Sequence, residues 1–148
     1  MVAFNFMPQF APRIVDGTKI HTLRDKPRAK LSDTLQLYTG QRTKDCRLIK
    51  EVVCTAVVPV EFIADYDWKL DGKWINPIYL EPFAMNDGFS NADELFTWFL
   101  DNKGPQWSGY LIAWGDAPYL VIEPKPTPPP TVTIKDGMGL KKIRDMTG

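Results

Sequence analysis

A proline-rich segment near the carboxyl end limits where this chain can build a folded core. Five of the seven residues from 124 to 130 are proline, and proline has no backbone N–H to contribute to a sheet. We expect a stiff spacer over 124–130, a domain over residues 1–123, and a mobile tail over 131–148. The tail carries a basic stretch at 140–144, and one hypothesis is that it contacts a protein partner.

The length and composition favour one compact core. The chain has 148 residues, of which 44% are apolar and 24% charged, a profile typical of a single domain. No apolar run approaches the roughly 20 residues that a membrane span requires, and the first residues lack a basic leader. We therefore expect a cytoplasmic protein without membrane contact.

The residue types exclude several common kinds of site. The two cysteines, Cys46 and Cys54, have no partners at zinc-ligand spacing, and His21 is the single histidine, so a structural zinc site is not expected. The Gly-x-Ser-x-Gly and Gly-x-x-x-x-Gly-Lys-Ser/Thr motifs are absent. We expect neither a metal nor a cofactor.

The charges are balanced over the chain but sorted along it. Residues 1–50 carry ten basic and four acidic side chains, and residues 51–123 carry three and twelve. The basic part includes Arg42 and Lys44 in a predicted turn at 40–44. The basic residues either form a surface that attracts nucleic acid, or the acidic residues neutralise them in the folded domain.

Periodicity and turn signals predict strands around a few helices. A strand at 2–6 precedes a short helix that Gly17 would end, because glycine accepts a left-handed conformation. Strands are also expected at 34–38, 52–60, 110–114 and 119–122. Asp71-Gly72 predicts a tight hairpin in which Lys69 lies opposite Trp74. Ser90 is expected to cap a helix that runs to Leu100.

One segment resembles a known family. Residues 17–25 read Gly-Thr-Lys-Ile-His-Thr-Leu-Arg-Asp, and the Gly-x-Lys-x-x-Thr-x-Arg pattern after a short helix is similar to that of the ASCH superfamily. Residues 33–37, 87–90 and 109–112 match it in order over about 4–122. Ser32 stands where the family usually has glycine, and residues 65–83 form a longer stretch than the smallest members have. The resemblance implies an α+β fold, a PUA-like mixed β-barrel with one or two flanking helices.

The resemblance also implies a chemistry. The family binds RNA or modified bases, and one branch is an amidohydrolase that removes the acyl group from N4-acetylcytidine. By resemblance, Lys19 would be the base, Thr22 the nucleophile and Asp87 the proton donor, where the branch has glutamate. Arg24 matches the arginine that ends the motif and is suited to holding a carbonyl or a phosphate.

The chemistry places demands on the surroundings of these residues. A threonine hydroxyl needs a base to take its proton, and Lys19 can serve only when neutral. Lowering the pKa of a lysine from about 10.4 to about 7.5 takes roughly 4 kcal/mol from burial and nearby cations. Arg13 and Arg24 are the candidate cations. A proton donor needs an apolar setting, which Met85 and Phe89 on either side of Asp87 would provide.

Strand geometry tests this assignment. Residues three apart on a regular strand point to opposite faces, so Lys19 and Thr22 meet only when the chain after Gly17 is irregular. Thr22 and Arg24 share a face in either case. His21 should point away from Thr22, as a surface or partly buried side chain.

The sequence therefore leaves three functions open. The first is a protein that binds RNA or a modified pyrimidine nucleoside and hydrolyses an N4-acyl amide. The second is a noncatalytic RNA-binding module that uses Arg24, Arg42 and Lys44, with Trp74 available to stack on a base. The third is an interaction protein that acts through residues 124–148. Ribonuclease activity also occurs among the relatives that the resemblance implies.

Overall fold

The computed structural model describes residues 1–65 and 67–120. The predicted α+β class is confirmed by eight strands and three α-helices within that part of the chain. The spacer and tail expected at 124–130 and 131–148 lie outside the described residues. The elements are β1 (Val2–Phe6), α1 (Ala11–Val15), β2 (His21–Arg24), β3 (Thr34–Thr39), β4 (Arg47–Val53), β5 (Ala56–Ile63), β6 (Asp67–Leu70), β7 (Lys73–Trp74), α2 (Leu80–Asn86), α3 (Ala92–Lys103) and β8 (Gln106–Ala113).

The strands of the expected barrel are divided between two sheets. The smaller sheet has the order β1-β3-β4, with β1 parallel to β3 and β3 antiparallel to β4. The larger sheet has the order β2-β8-β5-β6-β7, and all of its pairs are antiparallel. The short strand β2 therefore forms one edge of the larger sheet, next to the long strand β8.

Two apolar clusters form the core, and one of them joins the sheets. In β3, Leu35 and Leu37 are fully buried, as the alternation of that strand predicts. They belong to one cluster with Phe4 of β1 and Ile112 of β8. This cluster fixes the amino-terminal sheet against the edge of the larger sheet that carries β2. The other cluster lies between the larger sheet and the helices α2 and α3.

The predicted hairpin at Asp71-Gly72 is confirmed. Both residues have positive φ, 52° and 80°, which matches the two-residue turn that this dipeptide favours. Lys69 pairs with Trp74 across the hairpin, and its Nζ lies 4.8 Å from the centre of that ring.

The helix ends differ in detail from the predictions. Gly17 follows α1 with a φ of 87°, as expected. The cap of α3 is Asn91 rather than Ser90, because the Asn91 side chain accepts the N–H of Glu94 at 2.8 Å. The Glu94 carboxylate in turn accepts the N–H of Ser90 at 2.7 Å. The arrangement differs from a capping box in that Glu94 accepts the N–H of the residue before the cap and not that of the cap itself.

Three segments were not predicted correctly. The run at 52–60 is two strands, because β4 ends at Val53 and β5 begins at Ala56. Helix α2 was not predicted from the sequence. Its Pro82 lies in the first turn, where the missing N–H of proline is not needed. In place of a strand from 119, Pro118–Leu120 forms a single 3-10 turn whose Tyr119 ring is buried. Val121 and Ile122 lie outside the described residues.

Candidate active site

Lys19 enters the site from an irregular connection, not from a strand. After Gly17, the N–H of Lys19 is donated to the carbonyl of Arg13 at 2.9 Å, and the N–H of Ile20 to Asn86 at 2.8 Å. Regular pairing with β8 begins only at His21. The strict alternation of a strand therefore does not apply to Lys19 and Thr22, and both line the same pocket.

That pocket, here called the central pocket, lies between the end of β1, β2 and the helices. Its volume is about 320 Å³, at the small end of the range for ligand sites. One part of its wall is aromatic and the other is polar and charged. The lining residues are Asn5, Phe6, Met7, Phe10, Lys19, Thr22, Leu23, Arg24, Asp25, Asp87, Phe89, Trp98, Phe99 and Lys103.

The Lys19 amine is buried and is held by main-chain oxygens. Its side chain is 2% exposed, and Nζ donates to the carbonyls of His21, at 2.7 Å, and of Asp87, at 2.5 Å. Burial lowers the pKa of Lys19 to about 8, against the raising effect of the Asp87 carboxylate and with a further lowering by Arg24. A neutral amine has two N–H groups and one lone pair. Two carbonyl acceptors therefore satisfy the neutral form of Lys19 and leave its lone pair available.

Thr22 and Arg24 share a face of β2, as the sequence predicts. Arg24 Nε donates to Thr22 Oγ1 at 3.2 Å, and Arg24 Nη2 donates to the Asn5 carbonyl at 3.0 Å. The guanidinium carbon lies 5.1 Å from the centre of the Phe4 ring and 5.0 Å from that of Phe6. These contacts hold a positive charge against the threonine hydroxyl, where it favours loss of the hydroxyl proton.

Asp87 ends a buried chain of hydrogen bonds that begins at Asn86. The Asn86 amide donates to the Tyr119 hydroxyl at 2.8 Å, and that hydroxyl lies 2.8 Å from His21 Nε2. On the other side of the ring, His21 Nδ1 lies 2.9 Å from Asp87 Oδ1. Each contact is a hydrogen bond when the Tyr119 hydroxyl donates to His21 Nε2 and His21 Nδ1–H donates to Asp87. This arrangement requires a neutral histidine.

Burial favours the neutral forms of His21 and Tyr119 in this series of hydrogen bonds. It lowers the pKa of His21 below its ordinary value, although the Asp87 carboxylate opposes that change. Burial also raises the pKa of the Tyr119 hydroxyl. Both groups therefore keep the protons that the hydrogen-bond order requires, and Asp87 Oδ1 is fixed by His21. Among the described residues Asp87 Oδ2 has no hydrogen-bond partner.

The prediction that His21 is a surface or partly buried side chain is wrong. It points away from Thr22, as expected, but its side chain is 0% exposed and its ring packs on Phe83 and Tyr119. The far face of β2 is covered by α2 and by the turn at 118–120, neither of which the sequence predicts. The single histidine of the motif was the available sequence signal for a buried site residue. No sequence signal identified Tyr119 as its partner.

The remaining predicted site residues lie around the central pocket or away from it. Arg13 donates to the Phe89 carbonyl and to Ser90 Oγ, and it lines an adjoining groove. Its charge does not contribute to the Lys19 pKa, whereas that of Arg24 does. Arg42 lines a second cavity, and Lys44 lies in the same exposed turn. Trp74 lies on β7, at the opposite edge of the larger sheet from β2.

Two kinds of structural feature are absent from the part of the chain that the structure describes. None of the helices there has the length and apolar character that a membrane span needs. No group of three or more His, Cys, Asp or Glu side chains in residues 1–65 and 67–120 is arranged to hold a metal ion.

Comparison with known proteins gives matches among solved structures. No protein-family model matches the chain, and no curated protein is similar to it. Three crystal structures of an ASCH protein from Zymomonas mobilis, one of the unmodified protein and two of single-residue mutants, have 15–16% identity and TM-scores of 0.47–0.48. The chain resembles an ASCH protein. The matches cover 77% of this chain and 66–68% of the Zymomonas chains.

At 15–16% identity and with TM-scores below 0.5, neither a family nor the roles of individual residues are transferred to this chain from these structures.

Proposed function

We propose that the central pocket hydrolyses an N4-acyl amide on a cytosine base, with Thr22 as nucleophile and Lys19 as base. The observation that carries this proposal is that a buried amine and a threonine hydroxyl line the same small pocket, and that the hydrogen bonds of the amine are compatible with its uncharged form. A lysine with a pKa of about 8 is partly neutral at physiological pH and can accept a proton.

The first half of the reaction forms an acyl-threonine. Lys19 Nζ takes the proton from Thr22 Oγ1 as that oxygen bonds to the acyl carbon. The bond from the acyl carbon to N4 then breaks, and the proton that Lys19 took passes through Asp87 Oδ2 to the departing amine. Arg24, which already donates to Thr22 Oγ1, is placed to stabilise negative charge on the attacking and acyl oxygens.

The second half restores the enzyme. Water attacks the acyl-threonine, its proton passes through Asp87 to Lys19, and Lys19 gives that proton to Thr22 Oγ1 as the acyl carbon leaves. The products are the free cytosine amine and a carboxylic acid, so one water is consumed for each amide bond broken. No cofactor or metal takes part in these steps.

The walls of the pocket suit a planar base. Phe6, Phe10, Phe89 and Trp98 line its aromatic part, and a pyrimidine ring stacked on such side chains gains roughly 1–3 kcal/mol. The small volume favours a single base over a larger planar ligand. In this proposal the base is part of a nucleoside or of RNA. The cytoplasmic location of the protein remains an expectation from its sequence.

Incubation with N4-acetylcytidine, followed by chromatography of cytidine and acetate, tests the proposal. We expect turnover by the wild type, loss of turnover in Lys19→Met and Thr22→Val, and wild-type turnover in Lys50→Met, which changes an exposed lysine on β4. Turnover that persists in Thr22→Val contradicts the mechanism. Absence of turnover by a folded wild-type protein that still binds cytidine leaves a noncatalytic binding protein.

A further inference from the structure

A second cavity opens beside the central pocket, and the proposed reaction does not use it. It has a volume of about 800 Å³ and shares Asn5 and Arg24 with the central pocket. We call it the arginine cavity because three guanidinium groups line it. Its lining residues are Ala3, Asn5, Arg24, Arg28, Tyr38, Gln41, Arg42 and Cys46.

Within the part of the chain that the structure describes, none of the three arginines of this cavity forms an ion pair, although the Asp87 carboxylate acts on Arg24 at longer range. The lining contains no Asp or Glu, and within residues 1–65 and 67–120 the ion pairs involve other cations, namely Lys19, His21 and Lys103. Arg28 Nη2 donates instead to the Ala3 carbonyl at 3.0 Å, as Arg24 does to Asn5. Main-chain oxygens thus orient the guanidinium groups without neutralising them.

Two of the arginines are held on the same aromatic ring. The guanidinium carbons of Arg24 and Arg28 lie 5.1 and 5.0 Å from the centre of the Phe4 ring, and Phe4 is fully buried. After burial, the charge of Arg28 is the next cause that lowers the pKa of Arg24, so the two cations repel each other. A bound anion would relieve this repulsion.

Enough hydrogen-bond donors remain for such an anion. A guanidinium has five N–H groups in a planar fork that matches phosphate geometry. Arg24 gives two of them to protein acceptors and Arg28 gives one. Arg42 makes no hydrogen bond to the described part of the protein and projects from the exposed turn after β3.

We infer that the arginine cavity binds a phosphate group of the substrate, so that the central pocket binds a cytidine nucleotide more tightly than the free nucleoside. The inference rests on the proposed function for the placement of the base. Arg24 lines both cavities. In the proposed complex it therefore lies between the base and sugar of the ligand, in the central pocket, and the phosphate, in the arginine cavity. Arg28 and Arg42 then act only on the phosphate and not on the reacting atoms.

Calorimetric binding of cytidine, cytidine 5′-monophosphate and a cytidine trinucleotide tests this. The wild type should bind the monophosphate at least about tenfold more tightly than cytidine, a difference of about 1.4 kcal/mol. The double variant Arg28→Ala/Arg42→Ala should lose that preference and keep its affinity for cytidine. Arg47→Ala, which removes an exposed arginine of β4 that lines neither cavity, should keep both.

The outcomes separate this inference from the proposed reaction. Equal affinities for nucleoside and nucleotide, no binding of either, or a preference that survives the double variant would overturn the phosphate site. Trinucleotide binding that is tighter and more salt-dependent than that of the monophosphate identifies RNA backbone phosphates as the source; equal binding identifies a terminal phosphate, and either result supports the site. These measurements use ligands without an acyl group, so failure of N4-acetylcytidine hydrolysis does not affect them.

Discussion

The side-chain amine of Lys19 hydrogen-bonds the main-chain carbonyl of Asp87 and not its carboxylate, which lies 3.9 Å away. The carboxylate is turned toward His21 Nδ1, at 2.9 Å. A close ion pair would stabilise the charged form of Lys19. Two carbonyl acceptors satisfy the neutral amine as well as the charged one. His21 therefore orients Oδ1 of this carboxylate, and the charge of Asp87 acts on the Lys19 amine at 3.9 Å and not through a hydrogen bond.

A series of substitutions at Thr22 should separate the hydroxyl from the shape of the side chain. Thr22→Ser keeps a hydroxyl, and we expect it to retain measurable turnover of N4-acetylcytidine. Thr22→Val keeps the shape but lacks a nucleophile, and its kcat should fall by about a thousandfold or more. Urea unfolding should show that both variants stay within about 1 kcal/mol of the wild type. A valine variant as active as the serine variant would exclude Thr22 from the chemistry.

Two glycines with positive φ provide a matched test of the Lys19 position. A Cβ at Gly88 would lie 2.6 Å from Phe10 Cδ1 and 2.9 Å from Lys19 Cδ, whereas one at Gly17 meets nothing within 4 Å. Gly17→Ala should therefore cost only the strain of a left-handed alanine, about 1 kcal/mol. Gly88→Ala carries that strain and must also displace the lysine.

We expect Gly88→Ala to be less stable than Gly17→Ala in urea unfolding and to lose at least about tenfold in turnover. Gly17→Ala should retain nearly full turnover. If both variants turn over N4-acetylcytidine equally, the position of the Lys19 side chain does not control the reaction.

The hydrogen-bond chain beneath the site should contribute to stability through the Tyr119 hydroxyl. Tyr119→Phe leaves His21 Nε2 and the Asn86 amide without that partner, which should cost about 1–3 kcal/mol. Tyr79→Phe is the control, because Tyr79 is half-buried beside Tyr119 and its hydroxyl makes no hydrogen bond to the described residues. The control should change the free energy of unfolding by less than about 0.5 kcal/mol. Equal losses in the two variants would contradict the role of the chain.

Burial of Lys19 predicts how stability depends on alkaline pH. Its pKa is about 8 in the folded protein and 10.5 without burial, so between these values the unfolded chain holds more protons. The free energy of unfolding contributed by Lys19 therefore rises with pH over that interval and is lowest below about pH 8. The full change is about 3 kcal/mol.

Urea unfolding at pH 8 and pH 10 measures this effect as a difference between wild type and Lys19→Met. The wild type should gain stability relative to the variant as the pH rises. Lys50→Met, which removes an exposed lysine, should follow the wild type. Parallel pH dependence in wild type and Lys19→Met would show that the amine titrates normally in the fold.

Local signals in the sequence were enough for several elements. The alternation of Leu35 and Leu37 and the Asp71-Gly72 turn depend on neighbouring residues, and both predictions are confirmed. The N-cap of α3 is Asn91, one residue after the predicted Ser90. Both residue types suit an N-cap, and the hydrogen bonds of Glu94 decide between them. Helix α2 was not predicted, and its Pro82 is compatible with a first helical turn as well as with a loop.

The candidate site could be predicted only in part, because contacts distant in sequence assemble it. The motif identifies Lys19, Thr22 and Arg24, but Lys19 leaves strand geometry through main-chain bonds of its neighbours to Arg13 and Asn86. The pairing of His21 with Tyr119 joins residues 98 apart in the chain. No periodicity or turn signal specifies such a pair, so the burial of His21 was missed.

The charge state of Lys19 is the central claim, and a nuclear magnetic resonance titration of its Nζ and Cε measures it directly. Lysine-selective isotope labelling with Lys19→Met as the assignment control identifies the signal. We predict a pKa of about 8, well separated from the exposed lysines. A Lys19 amine that stays protonated until near pH 10.5, the ordinary value, would contradict its assignment as the base.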